Sequence, residues 1–359
     1  MKMLITGGAG FIGSNAASRY LQRGWDVVVI DNLAREGVHK NLEWLRPQGS
    51  LQFEQVDVRD AEKLASVFRQ HRDADQVLHL AAQVAVTTSV TAPREDFEIN
   101  ALGAFNVLEA IRLSGIKAPV LYSSTNKVYG ELTELGVEEK EGRYAYKSLP
   151  FGVPESQNLD FHSPYGCSKG AADQYFIDYH RIYGLRTIVF RQSCIYGYRQ
   201  FGAEDQGWVA WFMIASQLDQ PITVYGDGKQ VRDILFIDDL LDAYDTAFAA
   251  GDRPVGRAYN IGGGPDNILS LLELIQYIGK RQNRKLPFDF ADWRPGDQKV
   301  FVSDIRLAQA ELCWTPKIRC VQGLELLYDW VSLNKELFVE EYRSLDGASQ
   351  AKSNRCSAS

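Results

Sequence analysis

The sequence is poor in features that would point to several classes of protein. Its five cysteines among 359 residues are odd in number and widely spaced, without a Cys-x-x-Cys pair. This argues against a disulfide framework and against a zinc site, and no metal is expected. Runs of basic residues are also missing, and the net charge is -7. Nucleic acid is therefore not expected as a partner.

Long apolar runs are absent as well. No stretch approaches the roughly 20 apolar residues that a membrane-spanning helix needs, so no membrane partner is expected. The first residues, MKMLITGGAGFIG, enter a folded motif directly, without the pattern of a secretory leader. Together with the scarce, unpaired cysteines, this predicts a cytoplasmic location.

What the sequence does contain is a regular alternation of β-rich and helical segments. Short apolar runs such as MLIT, DVVVI and QVLHL are separated by helical patterns, which is typical of βαβ units and a parallel sheet covered on both faces. The predicted fold class is α/β: a doubly wound parallel (Rossmann) sheet with a smaller, interleaved C-terminal α/β domain for the substrate.

The predicted domains follow from where this alternation becomes irregular. We expect a Rossmann domain over residues 1–190, to which 230–260 return, a substrate domain over 191–229 and 261–345, and a disordered tail over 346–359. Two long helical segments, Pro93 to Ser114 and Gly166 to Tyr183, are expected to offer free faces. They predict a homo-oligomer, either a dimer or a tetramer.

The segment TGGAGFIGS after the MLIT strand predicts a dinucleotide-binding turn. Glycines let the backbone approach a pyrophosphate, and the following helix N-terminus offers free N–H groups. Asp31 ends the second strand about 20 residues later, where a carboxylate binds the adenosine ribose. This predicts NAD, although Arg35 is close enough to keep NADP open. The alternative is an ordinary turn with Asp31 as a helix cap.

The cofactor site is expected to continue along the carboxyl edge of the sheet, where ligands bind in doubly wound folds. The third strand ends at Asp57 and the fourth in HLAAQ. The residues predicted on these grounds to bind the cofactor are Gly7, Gly10, Phe11, Ile12, Gly13, Asp31, Asn32, Arg35, Asp57, Val58, Leu80, Ala81, Ala82 and Gln83.

Tyr165 and Lys169 stand four residues apart in PYGCSKG, at the predicted start of a helix, so both project from one face. A tyrosine ordinarily loses its proton near pH 10, but a neighbouring ammonium and an oxidised nicotinamide both favour the phenolate. The spacing alone is also compatible with a surface pair. In combination with the glycine turn it predicts a tyrosine base.

The motifs TGGAGFIG, HLAA, SSTNKVYG, YGCSK and RPGDQK follow one another over nearly the whole chain. In this order they resemble the extended short-chain dehydrogenase/reductase family, specifically its sugar-nucleotide epimerases and dehydratases. The resemblance implies that Tyr165 removes a sugar hydroxyl proton as hydride leaves the same carbon for NAD, that Lys169 lowers the tyrosine pKa and holds the nicotinamide ribose, and that Thr125 hydrogen-bonds the reacting oxygen. It adds four residues to the predicted cofactor site: Asn100, Ser123, Tyr165 and Lys169.

Asn126 and Lys127 directly follow Thr125, where the dehydratases of this family carry titratable acids. Loss of water needs one group to protonate the departing hydroxyl and another to remove a carbon-bound proton. Asn126 cannot supply a proton, and Lys127 would lack a paired acid. The sequence therefore favours an epimerase that removes hydride from a carbon and returns it to the opposite face.

Within the family, the resemblance is strongest to the 2-epimerases of CDP-linked dideoxyhexoses, of the CDP-paratose or CDP-tyvelose type. It implies a CDP-linked sugar as substrate and transient oxidation of carbon 2 to a ketone. Cys194 departs from this pattern, because close relatives are expected to carry serine there. Two alternatives stay open: a carbon 4 epimerase of a UDP-sugar, and a protein that senses NAD without turnover.

A nucleotide sugar carries a diphosphate, so cations are expected to converge on the substrate domain. Arg232 and Arg294 match positions that contact the nucleotide in the family, and guanidinium groups suit phosphate oxygens. The alternative for Arg232 is an ion pair with Asp233 or Asp238. The predicted substrate-binding residues are Gln83, Thr125, Asn126, Arg199, Gln206, Arg232 and Arg294.

Overall fold

The structure, a computed structural model, describes residues 1–294, 296–339 and 342. The strands in this part of the chain are β1 (Lys2–Thr6), β2 (Asp26–Asp31), β3 (Leu51–Gln55), β4 (Gln76–His79), β5 (Val120–Thr125), β6 (Val137–Lys140), β7 (Arg143–Tyr146), β8 (Thr187–Gln192), β9 (Cys194–Tyr196), β10 (Thr223–Tyr225), β11 (Val231–Phe236), β12 (Arg257–Ile261), β13 (Ile268–Ser270), β14 (Asp289–Ala291) and β15 (Val300–Phe301). The α-helices are α1 (Phe11–Gln22), α2 (Val38–Leu45), α3 (Ala61–Gln70), α4 (Val86–Thr91), α5 (Pro93–Phe97), α6 (Gly103–Ser114), α7 (Ser163–Tyr183), α8 (Trp208–Gln217), α9 (Ile237–Ala249), α10 (Leu271–Gln282), α11 (Arg306–Leu312) and α12 (Cys320–Leu333).

A parallel sheet of seven strands forms the centre of the fold. Its strand order is β12-β8-β5-β4-β1-β2-β3, and every neighbouring pair runs parallel. The order reverses between β1 and β4, which places a crevice at the carboxyl ends of these strands. The predicted doubly wound α/β class is confirmed.

Both faces of this sheet are buried by helices because its strands are apolar on both sides. On β1, Met3 and Ile5 pack into one hydrophobic cluster together with residues of α1, α2 and α9. Leu4, between them, packs into a second cluster with residues of α3, α6 and α7. This two-sided burial is the physical reason for the near-continuous apolar strands that predicted a covered parallel sheet.

The helical segment predicted from Pro93 to Ser114 is interrupted by a π-helical turn over Glu98–Leu102. Asn100 lies in this turn, where its Oδ1 accepts a hydrogen bond from the Gln83 backbone N–H at 3.0 Å and its Nδ2 donates to the Gln83 carbonyl at 2.9 Å. Such turns occur mostly as single insertions in α-helices, frequently at functional sites. Here the turn secures the segment that follows β4.

A buried ion pair attaches α7 to the sheet. The Asp173 carboxylate on α7 accepts hydrogen bonds from Arg191 Nη2 at 2.9 Å and Nε at 3.0 Å, and from the Ser124 hydroxyl at 2.8 Å. Asp173 is fully buried and Arg191 almost so. Removing one partner of such a pair leaves an uncompensated buried charge, which costs about 3–5 kcal/mol. The position of α7 relative to β5 and β8 is therefore strongly specified.

Smaller sheets stand beside the large one. β11 pairs with β13, β15 and β9, β10 pairs with β14, and β6 and β7 form a hairpin within the long polar segment before α7. Within residues 230–260, β11 belongs to one of these smaller sheets and α9 packs on the large one. The domain boundaries stay a prediction, and the tail predicted to be disordered, 346–359, lies outside the described residues.

None of the helices in the described ranges is long and apolar enough to cross a membrane. The cytoplasmic location inferred from composition stays a prediction.

Candidate active site

A cleft of about 340 Å³ lies at the carboxyl edge of the seven-stranded sheet. Segments that are far apart in sequence meet there because the ends of β1 to β5 and β8 lie side by side. The predicted site residues that line it are Gly7, Gly10, Phe11, Ile12, Gly13, Asp31, Asn32, Arg35, Asp57, Val58, Leu80, Ala81, Ala82, Ser123, Thr125, Tyr165, Lys169, Arg199 and Gln206.

Five predicted residues are not among the cleft lining. The Asn100 side chain forms the two hydrogen bonds with the Gln83 backbone described above. These bonds fix the segment after β4, which forms one wall of the cleft. Asn126 lies just beyond β5, where its Oδ1 accepts a hydrogen bond from the Thr125 hydroxyl at 3.3 Å. Arg232 and Arg294 engage carboxylates elsewhere. Their roles in binding stay predictions.

Several lining residues were missed by the sequence analysis. Gln192 and Ser193 lie at the end of β8 and directly after it, and the rule that ligands bind at strand ends could have indicated them. Asn41, on α2, and Gln200 and Phe201 also line the cleft. The sequence analysis selected Arg199 and Gln206 from the same loop but not Gln200 or Phe201.

The glycine turn after β1 forms a close-fitting cradle. Gly7 has a positive φ of 69°, and a Cβ atom there would lie 2.6 Å from the Ala81 backbone nitrogen. Gly10 precedes the first turn of α1 and carries no side chain to cap it. The N-terminus of α1 thus faces the cleft with its N–H groups accessible to an anion, which fits the pyrophosphate of a dinucleotide.

Asp31, the last residue of β2, lines one end of the cleft. Its carboxylate accepts hydrogen bonds from the backbone N–H groups of Ala9 at 3.1 Å and Leu33 at 2.9 Å. Burial raises the pKa of Asp31, and these backbone hydrogen bonds partly offset that rise. A carboxylate fixed here fits the hydroxyls of an adenosine ribose. The donor set and the cradle therefore suit NAD.

Tyr165 and Thr125 meet deep in the cleft. Tyr165 projects from the first turn of α7 and Thr125 ends β5. Burial raises the pKa of Tyr165 to about 12, while a hydrogen bond with the Thr125 side chain acts in the opposite direction. In this environment Tyr165 is a neutral phenol at pH 7, and a nearby positive charge is needed to favour its phenolate.

Lys169 lies one turn further along α7. Its Nζ donates a hydrogen bond to the Ser123 carbonyl at 2.5 Å and stands 4.3 Å from the centre of the Tyr122 ring. Burial lowers the pKa of Lys169 to about 7, although the carboxylates of Asp173 and Asp96 act to raise it. A group of this kind changes charge near neutrality, as catalytic groups often do.

A second polar cluster lies beside the segment that follows β5. Arg232 forms an ion pair with Asp297 at 2.6 Å, in place of the alternative partners Asp233 and Asp238. Lys127 Nζ donates to the Gly296 carbonyl at 3.3 Å. Burial, followed by the nearby charge of Arg232, lowers the pKa of Lys127 to about 8. Cys194 contributes its sulfur to a 3.2 Å contact with Trp208 Nε1.

Arg199 and Gln206, which are predicted to bind the substrate, lie near Arg35. The Arg199 guanidinium stands 4.3 Å from the centre of the Trp44 ring, and the Gln206 side chain accepts a hydrogen bond from Arg35 Nη2. Both are therefore placed at the end of the cleft marked by Asp31. Their predicted role at the sugar stays a prediction.

Comparisons with known proteins agree with this geometry. The NAD dependent epimerase/dehydratase family matches residues 3–262. The chain is 47% identical over 337 residues to the CDP-paratose 2-epimerase of Salmonella typhi, covering 92% of this chain and 99% of that protein. It is 30% identical to the UDP-glucose 4-epimerase of Mycolicibacterium smegmatis, covering 90% and 96% of the two chains.

A solved structure with the same architecture is that of the Thermus thermophilus UDP-glucose 4-epimerase in complex with NAD. The two structures have a TM-score of 0.77 and 32% sequence identity, covering 92% of this chain and 99% of the other.

Burial of Lys169 should make the free energy of unfolding depend on pH. Lys169 loses its proton at about pH 7 in the folded protein but near its ordinary value of 10.5 in the unfolded chain. Between these values the unfolded state binds more protons, so the free energy of unfolding rises with pH. In urea unfolding of the nucleotide-free protein from pH 7 to 9, Lys169→Met is expected to lower this slope by up to ~1.4 kcal/mol per pH unit.

The matched control is Lys117→Met, at an exposed lysine, which should leave the slope unchanged. Equal slopes in wild type and Lys169→Met would show that Lys169 keeps an ordinary pKa in the fold.

Proposed function

Because the chain belongs to the NAD-dependent epimerase/dehydratase family, we propose that it inverts carbon 2 of a CDP-linked hexose of the paratose or tyvelose type. The predicted family and the predicted cofactor, NAD, are confirmed. The chain is an enzyme that acts on nucleotide sugars. The extent and level of its identity to a CDP-paratose 2-epimerase support the finer assignment over that of a UDP-sugar 4-epimerase.

One observation carries the choice of epimerisation over dehydration. Among the described residues that line the cleft, the carboxylates are Asp31, Glu36 and Asp57. Asp31 is the last residue of β2, Glu36 follows β2, and Asp57 follows β3. Thr125 ends β5, three strands away from β2 in the sheet. Asp297, the carboxylate of the second polar cluster, is paired with Arg232. Dehydration needs an acid and a base at the sugar, whereas hydride removal and return need only one proton acceptor. The cleft supplies that acceptor as Tyr165.

NAD, when bound, supplies the chemistry of taking a hydride from the sugar carbon and returning one to it. The residues that would hold it are those of the glycine cradle, Asp31 at the adenosine ribose, and Lys169 with Ser123 at the other end. The remaining steps belong to side chains of this protein.

Tyr165 removes the proton from the substrate hydroxyl and later returns it to the ketone oxygen. Thr125 hydrogen-bonds the same oxygen, and so fixes the direction from which the proton leaves. Lys169, when protonated, favours the phenolate of Tyr165 by its charge. The proton taken in the first half of the cycle is used in the second, so no exchange with solvent is required.

The nucleotide end of the substrate is assigned to the second polar cluster. Both terminal nitrogens of the Arg232 guanidinium are engaged, by the Val231 carbonyl and by Asp297, so a phosphate would replace one of these partners. Lys127 adds a second cation nearby. Two cations adjacent to the catalytic strand suit a diphosphate. Asn126, which follows Thr125, and Gln83 are assigned to the sugar, and Arg294 is kept as a proposed contact of the nucleotide.

The assignment predicts the product and its isotope content. With a CDP-linked 3,6-dideoxyhexose in deuterated water, NMR should show inversion at carbon 2 and no deuterium on any ring carbon, because the hydride returns within the site. UDP-glucose is the comparison substrate. Inversion at carbon 4 of UDP-glucose, with CDP-sugars unchanged, would overturn the carbon 2 assignment. Deuterium on carbon would contradict hydride return.

If Tyr165 is the base, removal of its hydroxyl oxygen should strongly lower the rate of epimerisation. Tyr165→Phe should lower kcat by about 10²–10⁴, the usual contribution of a positioned acid–base group, while NAD binding measured by calorimetry stays near that of wild type. Tyr328→Phe, at a tyrosine on α12 that is not part of the cleft lining, is the control. A Tyr165→Phe enzyme of normal kcat would rule out Tyr165 as the base.

We further propose that two copies of the chain pack through the helices α5 to α7. This region exposes a group of large apolar side chains: Phe97, Leu102, Tyr175, Ile182 and Tyr183. Apolar side chains clustered at the surface commonly mark a protein interface. The sequence predicted a homo-oligomer, and this proposal names the surface through which its subunits would contact each other.

If this surface is the subunit interface, a charged residue introduced there should dissociate the dimer. In light scattering coupled to size exclusion, Phe97→Glu should halve the mass of a dimer. Leu333→Glu, an exposed leucine on α12, should leave it intact. A monomeric wild type, or dissociation by Leu333→Glu alone, would refute the assignment.

A further inference from the structure

The loop between β9 and α8, residues 197–207, packs against α1 and the segment that follows β2. Asn15 Nδ2 donates to the Tyr198 carbonyl at 2.8 Å, and Asn41 Nδ2 donates to the Arg199 carbonyl at 3.3 Å. The Phe201 ring lies against Gly37, where a Cβ atom would approach it to 2.5 Å. The loop is thus fitted to the adenosine end of the cleft.

Two buried amide oxygens in this wall have no hydrogen-bond partner among the described residues. They are Asn41 Oδ1 and Gln200 Oε1, on side chains that are 1% and 2% exposed. Both residues line the cleft. Buried polar atoms are nearly always satisfied, and the hydroxyl or amino groups of an adenosine are donors of the right kind. The wall therefore has acceptors ready for a nucleoside.

Arg35 faces the same end of the cleft. It follows Asp31 by four residues, in a region where some dinucleotide enzymes use an arginine to bind the 2′-phosphate of NADP. Arginine binds phosphate best through two parallel N–H groups. In this structure one terminal nitrogen, Nη2, donates to the Gln206 side-chain oxygen. Gln206 thus engages one of the two N–H groups of Nη2, which leaves Arg35 with fewer donors for a two-pronged contact with a phosphate.

The position of Gln206 is fixed by the loop itself. Its backbone forms two hydrogen bonds with Ala203, at 2.9 and 3.0 Å, which create a short antiparallel bridge. The outer side of the loop is held as well, since Arg294 donates to the Asp205 carboxylate at 2.9 Å. The side chain of Gln206 is thereby presented to Arg35 on an ordered support.

We propose that loop 197–207 is a wall of the adenosine half-site and that Gln206, by occupying Arg35, makes the enzyme selective for NAD over NADP. Asp31 repels the 2′-phosphate, and Gln206 competes with that phosphate for the Arg35 guanidinium. Gln206 is thus a specificity-determining residue for the cofactor. The inference rests on the use of NAD by the family and is independent of which sugar carbon reacts.

The experiment measures the dissociation constants of NAD⁺ and NADP⁺ by calorimetry, with full-length protein freed of nucleotide. Gln206→Ala should improve the affinity for NADP⁺ relative to NAD⁺ by about tenfold or more, because a charged hydrogen bond becomes available to the phosphate. The double variant Arg35→Ala/Gln206→Ala should lose this gain. Gln206→Glu should shift the ratio towards NAD⁺, since a carboxylate pairs with Arg35 and repels phosphate.

Gln206→Ala and Gln206→Glu should shift the ratio of the two dissociation constants in opposite directions. Simple damage to the loop would instead weaken the binding of NAD⁺ and NADP⁺ alike. An unchanged ratio in Gln206→Ala, or a gain that survives loss of Arg35, would overturn it. So would a Gln206→Ala enzyme with a raised KM for the nucleotide sugar and an unaltered cofactor ratio. Because no sugar is needed for the binding measurement, an error in the proposed substrate leaves these outcomes unaffected.

Discussion

The buried ion pair between Asp173 and Arg191 is the constraint on which the catalytic geometry depends. It joins α7, which carries Tyr165 and Lys169, to the two strands whose ends supply Thr125 and the neighbouring cleft wall. A pair of charges out of water tolerates little displacement, because each unsatisfied charge is costly. Proton transfer requires the base to lie within hydrogen-bond reach of the proton that it removes. The pair thus fixes the helix that carries Tyr165 and Lys169 relative to the strand that carries Thr125, the three residues proposed as catalytic.

Burial also shifts the pKa values of the two residues proposed as catalytic on α7. The same desolvation raises the pKa of Tyr165 and lowers that of Lys169, so each is held in its neutral form more strongly than in water. A tyrosine base therefore requires positive charge close by, from Lys169 and from the oxidised cofactor. This requirement links proton removal to the presence of the oxidant, and it argues against the alternative of a protein that only senses NAD.

The sequence predicted most where chemistry imposes a fixed spacing. The glycine turn, Asp31 and the pair Tyr165 and Lys169 each obey a local rule, and the structure brings them into one cleft. Arg199 and Gln206 were harder to place because they belong to a loop whose path depends on packing against Trp44 and Arg35. Asn41 had no signal at all, since an asparagine on an amphipathic helix is compatible with many environments. The interruption of the helix before Ser114 was likewise invisible, because a π-helical turn changes hydrogen bonding without altering the apolar pattern.

The anchoring of loop 197–207 bears on how long the dinucleotide stays in the protein. An epimerase ends each cycle with its oxidant regenerated, so turnover does not require exchange of that molecule with the surroundings. The loop is held on its inner side by Arg35 and Asn41 and on its outer side by Arg294. A dissociation path through this end would have to break contacts on both sides. The arrangement favours a dinucleotide that behaves as a resident prosthetic group, carried through many substrates by one polypeptide.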